Sequence, residues 1–66
     1  MFNAKFMEIA INEVAEMMAQ KANTTPEAIK EMVNANRESK TAQYFLRHVQ
    51  AAYVGVMMAA EKANAQ

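Results

Sequence analysis

The chain has no cysteine, one glycine and one proline in 66 residues. Without thiols there are neither disulfides nor thiolate-bound metals, and their absence fits a reducing compartment. The lone His48 cannot assemble a zinc site by itself. One glycine is too few for a loop that cradles phosphate. Long apolar runs are missing as well. The longest, Ala51 to Ala60, is about half of the roughly 20 residues a bilayer-crossing helix requires. Glu8, Asn12 and Glu13 interrupt any apolar core of the kind an export leader needs. These absences predict a cytoplasmic protein with no membrane partner, no metal and no cofactor.

An excess of one charge sign is also lacking, with 7 Lys and Arg against 7 Asp and Glu. Non-specific nucleic-acid binding normally draws on a stronger basic balance, so DNA is a disfavoured partner. The charge is unevenly spread. Residues 1–35 carry three basic residues (Lys5, Lys21, Lys30) against five acidic ones (Glu8, Glu13, Glu16, Glu27, Glu31). Residues 36–66 carry four basic (Arg37, Lys40, Arg47, Lys62) against two acidic (Glu38, Glu61). Head-to-tail or antiparallel pairing of the two halves is therefore mildly favoured.

A chain this short forms one domain, residues 1–66, and buries only about 60% of the surface its unfolded form exposes. Small domains compensate with disulfides, a metal or oligomerisation. Only the last fits this composition.

What is present is helical. From residue 3 to 22, Phe6, Met7, Ala10, Ile11, Val14, Met17 and Met18 recur at three- and four-residue steps. Phe2 and Ile9 fall among the polar residues of the opposite face, either as incidental exposed side chains or as a second contact. Thr25 as cap with Pro26 at the first helical position starts a second helix over 26–34. A capping box from Thr24 to Glu27 is the competing register. This helix is predicted to bury Ile29, Met32 and Val33. A polar connection then leads to Ser39, the preferred cap of a third helix over 40–63, with Asn36 and Thr41 as alternatives. At 1.5 Å per residue that helix is roughly 36 Å long. A compact globule of this size is about 28 Å across. The last helix should therefore overhang its own domain, with residues 64–66 frayed. The fold class is all-α, three helices (long, short, long) in a small bundle. Phe45, Val49, Tyr53, Val56 and Met57 are expected to pack on Met7, Ile11, Val14, Met18, Ile29 and Val33.

Two surfaces are candidates for function. Ala51, Gly55, Ala59 and Ala63 form a ridge at four-residue spacing, with Ala52 beside it. Such a ridge admits a second helix closely, and Gly55 costs roughly 1 kcal/mol in a helix relative to Ala. The ridge is the expected homo-oligomer interface, against helix one of the same chain or helix three of another copy. The simpler reading is that alanine is a good helix former. The second surface is Lys40, Gln43, Tyr44 and Arg47, with His48 one turn beyond Tyr44. This is where a helix-turn-helix protein places its base-reading residues. Arg47 would read guanine, Gln43 adenine, and Lys40 would meet phosphate. The long connection after Asn34, with no glycine, favours an ordinary solvated face instead. His48 has no nucleophile or orienting carboxylate to make it a catalytic base. The internal methionines read as core and interface filling, except Met58, which turns towards the polar arc with Val54 and Tyr44. The pairs Glu13/Glu16 and Glu27/Glu31 read as solvated faces.

Ile11-Asn12-Glu13-Val14-Ala15 followed by Thr25-Pro26-Glu27 resembles small helical bacterial domains encoded beside toxins. The stretch from His48 to Gly55 resembles the final helix of small phage proteins that sequester nucleotide signals as oligomers, although Pro26 interrupts the long helix those proteins carry before it. These resemblances imply a phage- or toxin-associated accessory protein and transfer no functional residues. The residues themselves favour a non-enzymatic module that binds itself, and through the assembled groove another protein or a small ligand.

Overall fold

A computed structural model describes residues 2–64. Three helices follow one another: α1 over Ala4–Ala22, α2 over Pro26–Ala35 and α3 over Lys40–Asn64. Each starts where a short polar side chain can satisfy the orphan amides of a first turn. Asn3 Oδ1 accepts from the Lys5 and Phe6 amides at 3.0 and 3.2 Å. Thr25 Oγ1 accepts from the Ala28 amide at 3.2 Å with Pro26 next in line, so the Thr24–Glu27 box is not used. Ser39 Oγ caps α3 through the Ala42 amide at 3.1 Å.

Helix α1 ends in a Schellman turn. Asn23 takes the left-handed conformation at φ 55°, which asparagine tolerates better than most side chains. The Thr24 and Asn23 amides donate back to the Ala19 and Gln20 carbonyls at 2.9 and 3.4 Å. Helix α2 runs past Asn34 to Ala35, so the connection to α3 is only the four residues Asn36–Ser39. Asn36 organises it. Its Oδ1 accepts from the Glu38 amide at 3.1 Å and its carbonyl from the Ser39 amide at 3.2 Å. The long connection inferred from the polar run is thus a tight turn, one residue shorter because Ala35 remains in the helix. Asn64 is helical, and the fraying expected of residues 65 and 66 lies outside the described residues.

The core draws on all three helices. Ala10, Val14, Ala15 and Ala19 of α1 meet Ile29 and Val33 of α2 and Ala42, Phe45 and Val49 of α3. Met7, Ile11, Met17, Met18, Ala52 and Tyr53 pack around them, while Val56 and Met57 are half-buried. One expectation needs correction. Met32 is 50% exposed, since Ile29 and Val33, one turn apart, already supply the buried stripe of α2. Met7, Met17 and Met18 are half-buried and pack against the outside of the core.

Helices α1 and α3 are antiparallel. The Asn3 amide donates to the Tyr53 hydroxyl at 2.7 Å, and the Phe2 ring stacks on Tyr53 with centroids 5.9 Å apart. At the other end, Thr41 and Tyr44 share a groove with Met18, Lys21 and Ala22. The start of α1 therefore lies level with Tyr53, and the remainder of α3 to Asn64 extends about 16 Å beyond it. The molecule measures 40 × 22 × 15 Å, a rod set by the length of α3.

Candidate interaction surface

The outer face of α3 is built by helical geometry alone. At 100° per residue, Val54 lies about 140–180° around the helix from Val49 and Phe45, the residues that face α1. Val54 and Met58 are 54% and 64% exposed, and Tyr44 joins them at 43%. Ala51 and Gly55 lie along the same side and are exposed. A Cβ added at Gly55 would meet nothing within 4 Å. Among the described residues nothing packs into the space of the missing side chain, which removes helix one of the same chain as the partner of the ridge at that point. Ala59 and Ala63 continue the ridge and are exposed. Ala52 is different: it is half-buried and packs against the chain's own core.

The polar constellation at the start of α3 is brought together, but not as a free set. Lys40, Gln43, Tyr44 and Arg47 are all exposed. Gln43 Nε2 donates to the Glu38 carbonyl at 3.1 Å, tying the helix start to the preceding turn. The Tyr44 ring lies against the His48 imidazole, centroids 4.1 Å apart and planes tilted by 43°. His48 is half-buried beneath it. Lys40 and Arg47 carry the cationic character of this face.

Two open grooves flank α2. One of about 330 Å³ has an apolar floor of Ile11, Val33, Phe45 and Leu46 with Lys30 and Arg37 at its rim. Lys30 there donates to Asn12 Oδ1 at 2.7 Å. The other, about 310 Å³, is where Met32 and Tyr44 find their exposure. Among the described residues no polar or charged side chain is buried, and no three His, Asp or Glu side chains converge. The carboxylates Glu13, Glu16, Glu27 and Glu31 are all exposed.

A heptad pattern in the sequence marks the outer face of α3. Arg47, Val54 and Glu61 recur at seven-residue spacing, and so do Tyr44, Ala51 and Met58. Seven residues make two turns within about 20°, so both sets run as stripes along the exposed side of α3. Among the described residues no helix is long and apolar enough to cross a membrane. Compared with protein-family models, with curated proteins and with solved structures, the chain has no match.

Proposed function

We propose that this chain is a non-enzymatic, cytoplasmic interaction module that associates with a second copy of itself through the outer face of α3. One observation carries the reading. Val54 and Met58, at 54% and 64% exposure, lie on the outer face of α3, Val54 beside the Tyr53 contact with the start of α1 and Met58 one turn beyond it. Large apolar side chains at adjacent turns of an uncovered helix face form a patch that a second helix covers. The open flank at Gly55 supports the same reading, because nothing near it would obstruct an approaching backbone.

The strip is narrow. A face about 30 Å long and roughly 10 Å wide offers on the order of 300 Å² per copy, well under the roughly 800 Å² of a standard stable interface. The dimer is accordingly weak, with a dissociation constant between about 10 μM and 1 mM. Sedimentation equilibrium from low micromolar to about 2 mM should show the mass rising towards twice the monomer. A single monomer mass throughout that range would end the proposal.

One observation favours a second reading. The turn from α2 to α3 has only four residues, the length used by helix-turn-helix proteins. In that reading Lys40 and Arg47 contact DNA and Arg47→Ala abolishes binding. The absence of any gel shift at low salt would remove it.

A further inference from the structure

We infer that the second copy lies antiparallel to the first, about a two-fold axis passing Val54, with Arg47 of each copy paired to Glu61 of the partner subunit. This inference rests on the self-association proposed above and specifies its register. Val54 stands seven residues after Arg47 and seven before Glu61. All three are exposed and share a stripe about 40° wide and roughly 21 Å long. A two-fold axis perpendicular to both helices at Val54 places each residue opposite the one equally far on the other side. Arg47 then faces the partner's Glu61, and the same pair repeats at the far end by symmetry.

Apolar contacts agree with this register. Val54 meets the partner's Val54 on the axis. Ala51 and Met58 lie on the same side of the stripe, three residues before and four residues after the axis. Each Met58 therefore seats over the partner's Ala51, a long flexible side chain beside a short one. The side of α3 that carries Ala42, Phe45 and Val49 points away, into its own bundle, so α1 and α2 do not obstruct the approach.

Other arrangements are worse in charge. A parallel pair sets Arg47 against Arg47 and Glu61 against Glu61, which repel. A two-fold axis at Gly55, the centre of the small-residue ridge, brings Arg47 to Ala63 and leaves both charges without a partner across the interface. Complementary charges at equal distances from one exposed apolar residue therefore select both orientation and register.

Charge reversal tests the register. In the antiparallel dimer Arg47→Glu or Glu61→Arg converts two ion pairs into two like-charge contacts, weakening dimerisation by about 10- to 30-fold. The double variant Arg47→Glu with Glu61→Arg restores both pairs and should return to within about threefold of the unmodified protein. All variants are checked for unchanged helicity. Cysteine pairs test orientation independently, since the chain has no other thiol. Ala51→Cys chains mixed with Met58→Cys chains should form a mixed disulfide. Ala51→Cys alone should not, because the two positions lie about 9 Å apart along the helices, beyond disulfide reach. A dimer whose affinity ignores the single reversals, or in which Ala51→Cys links to itself, overturns the register while leaving self-association intact. An unmodified chain that stays monomeric overturns both.

Discussion

Replacing Gly55 by alanine should make the isolated chain more stable, by about 0.8–1 kcal/mol. The magnitude follows from two observations. Gly55 lies in the interior of α3, where alanine is preferred over glycine by that amount because it loses less backbone entropy. The added methyl meets no atom within 4 Å, so no steric term offsets the gain. For a domain of this size 1 kcal/mol moves the melting temperature by roughly 4–8 °C. Thermal unfolding followed by circular dichroism at about 1 μM, well below the proposed dissociation constant, measures the effect. A loss of stability would show that something in the same chain packs on this flank, and the placement of α3 would be wrong. The same substitution read by sedimentation at high concentration is informative in the other direction. A larger residue, Gly55→Leu, should weaken self-association while leaving the monomer folded.

The remaining predictions concern packing. Phe45, 4% exposed, is the only buried aromatic side chain among the described residues, and Phe45→Ala should cost about 3–5 kcal/mol. A small core supplies little more than that in total, so this variant should be largely unfolded by circular dichroism at 25 °C. Tyr53→Phe removes the acceptor of the Asn3 amide but keeps the ring under Phe2. A loss of about 0.5–1 kcal/mol in urea unfolding is expected, because the freed amide is exposed and water replaces the hydroxyl.

Helix boundaries were legible because their markers act locally. Thr25 before Pro26 and Ser39 before the last helix cap by side-chain chemistry that needs no tertiary context. The aliphatic and aromatic core, Val14, Ile29, Val33, Phe45 and Val49, was legible from periodicity. The buried alanines Ala15, Ala19 and Ala42 were not. Alanine suits either side of a helix, so its spacing does not say which copies face inward. Met32 misled for the related reason that a flexible side chain at a three-residue step from Ile29 fits the pattern whether or not a neighbour covers it. Polarity suggested a long connection after Asn34, yet Ala35 is helical, and composition alone does not distinguish a helix end from a turn. At the candidate surface, the exposure of Lys40, Tyr44 and Arg47 follows from their place opposite Phe45 and Val49, whereas the ridge at Gly55 fitted helix one of the same chain as well as another copy, and its exposure was not legible. The tie from Gln43 to the Glu38 carbonyl was not legible either, since it depends on how the turn folds back.

The alanine-rich centre has a chemical consequence. Four of the nine core residues contribute a single methyl group and surrender no rotamer freedom on folding, so the heart of the molecule is stiff and holds no sulfur. Every internal methionine sits in the surrounding rind, with Met32 and Met58 the most open to solvent. Peroxide would thus reach thioethers on the outside first, turning apolar contact points into polar sulfoxides while the three-helix scaffold stays assembled.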